Sequence, residues 1–223
     1  MSDWDHFIKD KPYFLRDGDT VTVHEEQPWT RGAVDGLPHL SALLASATLT
    51  PVSVSGKEYE LLAWGPQDSR RGWLCHPPLD TIQRQEQEHQ VHPIHHTLWA
   101  VCGGIVEQFN DKPESRWLCH NDILTVAATE TSIGEMLEAY AWAWEEEGLT
   151  IPINADDYYV TAVEANMNVT LVHRKSGQVI LFAPDTDHVG LTILPGCPDR
   201  SLYMFDDAHD LATWIEQSVV EQI

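Results

Sequence analysis

An α+β domain on a mostly antiparallel sheet flanked by helices is the fold this chain predicts. Two observations carry that expectation: β-type segments arrive as hairpins across short polar turns, and helical periodicities fall between the groups of strands. A third bounds it: no low-complexity block or long linker divides the 223 residues, so they read as one domain. A chain of this length buries roughly 70% of its unfolded surface and needs no metal or disulfide to hold a core.

Residues 1–35 are polar, with a short strand at 20–24 behind the turn Asp17-Gly18-Asp19. Residues 37–47 read as a helix through Leu40, Leu43, Leu44 and Ala47, with Pro38 near its start. Residues 51–54 and 59–64 face each other across Ser55-Gly56-Lys57 as a hairpin. A polar, glutamine-rich approach at 79–90 leads to Pro93, which suits a first helical position because its missing N–H costs nothing there. Ile94, Leu98 and Val101 then make one apolar stripe, Gly103-Gly104 ends the helix, and residues 105–109 follow as a strand.

Further along, residues 123–126 are a candidate strand, and Ser132-Ile133-Gly134-Glu135 has the pattern of a capping box. The helix behind it carries Ile133, Leu137, Tyr140, Ala141 and Trp144 on one face until Gly148 stops it. Residues 158–163 form a strand. The clearest hairpin joins 168–173 to 178–183 across Arg174-Lys175-Ser176-Gly177. Residues 189–194 and 201–205 add strands before a closing amphipathic helix with Leu211, Trp214, Ile215 and Val219.

Some of this wording is more specific than packing requires. A His near the helix start at Pro93, the Leu98-Trp99 pair and Gly103-Gly104-Ile105 before a strand resemble the SUKH superfamily (Smi/Knr type). So does the ending: the strand at 201–205, the acidic Asp206-Asp207 and the last helix. The likeness is best over residues 81–223, with 1–80 an elaborated N-terminal part of a single SUKH-like domain. It implies a SUKH-like α+β fold and a binding role. Many bacterial members look like immunity proteins that silence toxins, and fungal relatives look like interaction hubs. Neither role needs a catalytic residue.

Charge is the second strong signal. Thirty-five acids oppose thirteen bases, for a net charge of −22. Residues 120–223 hold 18 of the acids and 3 of the bases, and no Lys or Arg lies between Arg116 and Arg174. Such a field repels nucleic acid and anionic lipid and attracts a basic protein. General solubility is the plainer reading of the same numbers. The acidic N-terminus has no apolar run behind it, which argues against a signal peptide, and 37–56 is broken by Pro38 and Pro51, which argues against a membrane span. Four scattered cysteines suggest reduced thiols, hence a cytoplasmic protein.

Chemistry-bearing constellations are weak. Trp73-Leu74-Cys75-His76 recurs as Trp117-Leu118-Cys119-His120, a formal Cys₂His₂ set for zinc, but neighbours on a strand point to opposite faces. His89, His92, His95 and His96 cluster without a His-Glu-x-x-His pattern. There is no nucleophile elbow and no phosphate loop. Asp185-Thr186-Asp187-His188 reads as a polar turn that could also be part of a metal or acid–base site.

The acids are better candidates. Glu145, Glu146 and Glu147 sit in the last turn of a helix, where the macrodipole disfavours them by roughly a few tenths of a kcal/mol each. Trp142 lies about 200° round the helix from the core-facing Trp144. The expected surface is therefore an acidic rim of Glu145, Glu146, Glu147, Asp156, Asp157, Asp185 and Asp187 around exposed Trp142 or Tyr158. The functional expectation is a non-catalytic immunity protein with no cofactor and no catalytic or metal-binding residue. It would neutralise a toxin, for instance a basic nuclease, without binding nucleic acid or membrane. A regulatory scaffold for endogenous proteins and a metal-dependent hydrolase using the His89–His96 cluster are the alternatives.

Overall fold

Alternation of apolar side chains along β-hairpins builds a sheet whose two faces must both be covered. In the computed structural model, which describes residues 1–111, 120–184 and 190–222, helices cover both. Eight α-helices and twelve strands lie among these residues, an α+β fold on a large antiparallel sheet. The helices are α1 (Asp3–Asp10), α2 (Pro38–Ser46), α3 (Thr81–Gln87), α4 (Pro93–Trp99), α5 (Val126–Thr129), α6 (Ile133–Ala139), α7 (Ala141–Glu146) and α8 (Leu211–Gln222). The strands are β1 (Val21–Val23), β2 (Gln27–Pro28), β3 (Thr48–Val54), β4 (Lys57–Trp64), β5 (Arg71–Cys75) and β6 (Ile105–Phe109). They continue with β7 (His120–Ile123), β8 (Tyr158–Glu164), β9 (Val169–His173), β10 (Val179–Phe182), β11 (Leu191–Ile193) and β12 (Leu202–Phe205).

The sheet runs β1-β3-β4-β5-β6-β7-β8-β9-β10-β12-β11, with β2 on a second stretch of β3. Nearly every strand pairs with its chain neighbour, which is the meander that the hairpin pattern predicts. Ser55 and Gly56, at φ 50° and 83°, make the tight turn between β3 and β4.

Alternation along β4 assigns the faces. Leu62 and Trp64 join Trp73 and Cys75 of β5 in a core under α2, α4 and α8, and this core continues to Tyr159, Val172 and Val179. Tyr59, Leu61 and Ala63 point the other way, under Trp4 and Phe7 of α1. On that second face a separate core lies under α5, α6 and α7, built from Tyr158, Val160, Leu171, Ile180 and Phe182. The first face thus carries this core and a smaller cluster of Leu181, Ala183 and Tyr203, and the second carries two.

Long-range polar contacts tie the layers. Asp3 of α1 accepts from Arg70 Nε at 2.7 Å and Nη2 at 2.9 Å, a buried ion pair. Burial pushes the Asp3 carboxyl up, but hydrogen bonds from Arg70 and Thr48 outweigh it and leave it below the ordinary carboxylate value. Arg31 forks onto Glu60 and reaches the Val101 carbonyl at 2.9 Å. Helix α2 has no capping side chain of its own; the Glu216 carboxylate of α8 accepts from the His39 and Leu40 N–H groups at 2.8 and 3.0 Å.

Several elements differ from expectation. Residues 1–20 contain α1, and the approach to Pro93 contains α3; each opens with a capping box, Ser2/Asp5 and Asp80/Gln83 respectively. The strand expected at 123–126 ends at Ile123. Leu124 takes φ 58°, and Thr125 caps α5 instead, its hydroxyl accepting from Ala128 N. The helix behind Ser132 is two helices, α6 and α7, broken at Tyr140, whose ring packs edge-on against Phe182 at 5.3 Å. Of the strand expected at 189–194, the start lies outside the described residues.

Candidate functional site

The histidines do structural work. His92 caps α4, its Nδ1 accepting from Ile94 N at 3.4 Å. His95 is completely buried, with Nε2 2.9 Å from the Leu124 carbonyl and Nδ1 3.3 Å from the Tyr159 hydroxyl. Trp99 Nε1 donates to the same Leu124 carbonyl at 2.7 Å, so the left-handed Leu124 is the anchor of α4 on the sheet. Burial drives the His95 pKa down to about 4, which keeps the ring neutral. His96 Nε2 lies 3.0 Å from the Arg84 carbonyl. Three rings with three different partners do not converge on a metal ion, and no group of three or more His, Cys, Asp or Glu suited to a metal occurs among the described residues.

The Cys-His pairs separate as alternation requires. Cys75 lies in the core under α4, whereas His76 turns to the other face and stacks on Tyr59, 5.6 Å between centroids. His76 borders a cavity of about 500 Å³ between α3 and α5, with Pro77, Leu79, Glu86, Gly103 and Val126. Cys119 and the side chain of His120 lie outside the described residues.

The helical layer α5–α7 and the 3₁₀ turn after it (Ala155–Asp157) hold the acidic surface. Packing on the sheet decides which side chains remain free. Ile133, Leu137 and Trp144 are buried, with Trp144 1% exposed, so the opposite side of the layer faces water. Glu130, Glu135, Glu138, Glu145, Glu146, Glu147, Asp156 and Asp157 are all exposed there. None of them belongs to an ion pair among the described residues. Gly148 at φ 68° closes α7, and the next N–H, that of Leu149, returns to the Trp144 carbonyl at 2.8 Å. The three glutamates are thereby held at a helix C-terminus. Trp142 stands among them, 55% exposed.

One cation, Arg174, reaches the edge of this surface. Arg174 lies over the Tyr159 ring at 5.6 Å, and its guanidinium donates to the Asp156 and Gln90 carbonyls.

Two expectations about this surface change. Tyr158 is 7% exposed and cannot be a surface anchor, because the β8 alternation points it into the core under α6 and α7. Its ring meets His173 edge-on, and its hydroxyl donates to Gln178 Oε1 at 3.4 Å. Asp185 and Asp187, with Thr186 and His188, lie outside the described residues. The surface that remains is Trp142 with Glu145, Glu146, Glu147, Asp156 and Asp157, to which the structure adds Glu130, Glu135 and Glu138. Their i, i+3 spacing (135, 138) with no base nearby was a readable sign of a solvated acidic face.

Among the described residues, no helix is long and apolar enough to cross a membrane. No protein-family model matches the chain, and neither a curated protein nor a solved structure matches it.

Proposed function

We propose that this chain is a non-catalytic protein-binding module that captures a basic partner on the α5–α7 layer, and that the partner is a toxin domain. The observation that carries the binding part is the half-exposed Trp142 set among eight exposed acids with no base in the layer. Trp is enriched at interface hot spots, and truncating such an anchor costs about 2 kcal/mol or more. The acids would steer the encounter, lifting association towards about 10⁸–10⁹ M⁻¹s⁻¹ at low salt. The toxin part rests on the resemblance of residues 81–223 to the SUKH superfamily. A basic nuclease suits the charge, since a surface that repels nucleic acid competes with it for the same cationic groove.

The experiment is a pull-down from source lysate with wild type and Trp142→Ala at low and high salt, followed by identification of what is retained. A basic toxin-like protein lost on the substitution and weakened by salt supports the reading. A retained endogenous protein with no toxic activity moves it to a regulatory scaffold. Retention unchanged by both salt and Trp142→Ala would remove the acidic layer as the site.

A further inference from the structure

The cavity of about 500 Å³ between α3 and α5 has one wall that is clamped and one that packs on nothing. His76 stands on the clamped wall. Its ring stacks on Tyr59, 5.6 Å between centroids and 19° between planes, and Lys57 Nζ lies 5.2 Å over the same Tyr59 ring. His76 N donates to Gly104 O at 2.9 Å, and Gly103 N donates to His76 O at 3.0 Å. A Cβ on Gly103 would lie 2.2 Å from the Pro77 carbonyl oxygen, so glycine is what lets the two strips of chain lie this close. Neither ring nitrogen of His76 has a hydrogen-bond partner among the described residues. Burial, then the Lys57 charge, holds its pKa below the ordinary value, so the ring is neutral at pH 7.

The facing wall is α3, which buries none of its side chains and leaves Ile82 68% exposed. It is tethered through Leu79 N, which donates to Trp99 O at 2.9 Å, and through the Arg84 carbonyl, 3.0 Å from His96 Nε2. Seven residues without a buried face are too few for a helix to persist by itself. Gln83, Glu86 and Gln87, at i, i+3 and i+4, line the cavity from α3. Among the described residues no Lys or Arg lines it, and Glu86 belongs to no ion pair.

We propose that this cavity binds an alkylguanidinium group, the head of an arginine, between α3 and the wall that carries His76. The counter-charge is Glu86, whose two carboxylate oxygens match the planar guanidinium fork. Gln87 Oε1 on the same helix and one nitrogen of the neutral His76 ring opposite add two more acceptors. A guanidinium brings five donors to such a set and an ammonium only three. Gln83 is partly committed, since its Oε1 already accepts from Asp80 N at 2.9 Å. Pro77, Pro78, Leu79 and Val126 give the methylene stem an apolar wall. The net charge of −22 attracts any cation; the number and spread of acceptors select this one. The occupant supplies α3 with the packing that its own residues lack. The same chemistry is offered by a free guanidino compound and by an arginine side chain of a protein.

The test titrates the full chain with agmatine, with Nα-acetyl-arginine methylamide and with the lysine counterpart of the latter, by calorimetry at about 0.15 M salt. At least one guanidino compound should bind with a Kd of about 0.1–1 mM. The lysine compound should bind about fivefold more weakly or worse, having fewer donors. Amide exchange in α3 should slow when the guanidino compound is bound. Glu86→Gln should weaken binding about tenfold. Glu88→Gln removes the same charge from a residue that does not line the cavity and should change nothing. Trp142→Ala should also change nothing, because the site does not rest on the acidic layer. Both glutamates are exposed, so neither variant disturbs the core. Tighter binding of agmatine assigns the site to a free compound, and tighter binding of the arginine derivative assigns it to a side chain presented by a protein. No binding of either, equal binding of the lysine compound, or equal losses from Glu86→Gln and Glu88→Gln would overturn the proposal, the last being the mark of the general field alone.

Discussion

The two faces of the sheet are built from the same alternating strands but hold different kinds of residue. Under α2, α4 and α8 lies one continuous core, and several of its polar groups are matched across long sequence separations: His95 and Trp99 on Leu124, Arg31 on Glu60, Glu216 on α2. On the other face the α5–α7 layer is made of helices of four to seven residues, too short to be stable alone, and none of the acids on its outer side belongs to an ion pair among the described residues. Both faces bury apolar core, and the second gives up some of that stability, since glutamates at a helix C-terminus oppose the dipole. A local rule broken at the surface with no compensating contact is where a binding role is expected.

Substituting a glycine on each face should break the comparison most sharply. A Cβ on Gly104 would sit 2.4 Å from the Leu124 carbonyl that anchors α4, in a backbone with φ 97°. Gly104→Ala should cost on the order of 4 kcal/mol or abolish folding. Gly148→Ala, at φ 68° with open space around it, should cost only about 1 kcal/mol. Urea unfolding of the two variants reads the difference, and equal losses would mean that the faces are equally tight.

Acid should weaken the first face next. His95 has its pKa lowered to about 4 in the fold, against about 6.5 when unfolded. Between those values the unfolded chain binds one more proton than the native one. The contribution is present in full above about pH 6.5, falls as pH drops to about 4, and totals about 3 kcal/mol. His95→Gln should flatten the dependence of the urea midpoint in that window; an unchanged slope would exclude His95 as its source.

On the second face the effects should appear in binding and not in folding. Trp142→Ala should leave stability within about 0.5 kcal/mol, because a half-exposed side chain leaves no cavity, while partner affinity falls about thirtyfold or more. The triple change of Glu145, Glu146 and Glu147 to Gln is the smallest of the set. It should raise stability by a few tenths of a kcal/mol per residue, slow association and flatten its salt dependence. Calorimetry and stopped-flow mixing with the partner check both.

Elements with a strong local signal were legible in the sequence. Ser55-Gly56, Pro93 and the α8 stripe stand where their residues predict, whereas the helix expected to run to Gly103-Gly104 ends at Trp99. Of the missed helices, α1 opens with Ser-x-x-Asp and carries a short readable stripe of Trp4, Phe7 and Ile8, whereas α3 opens with Asp-x-x-Gln in a polar segment that buries nothing. The strand expected through Val126 failed for a tertiary reason. Two buried donors from α4 need the Leu124 carbonyl, and satisfying them outweighs local β-propensity. His95 illustrates the same limit. Its place on the α4 core face was readable, but its burial depends on hydrogen-bond partners 29 and 64 residues away. Of the acidic surface, Trp142 and the glutamates were legible from helical phase, whereas Tyr158 needed the strand's orientation.

Glu216 has a consequence for synthesis. It completes the first turn of α2 from 177 residues downstream. At about 5–20 residues per second, a ribosome delivers that carboxylate roughly 10–35 seconds after His39 has been made. Through that interval the apolar side of α2 has neither its cap nor α8 to lie against, so the first half of the sheet waits, half-clad, for the second. A nascent chain in that condition is a client for whatever shields apolar surface near the ribosome, and the fold should close in one late step when α8 arrives.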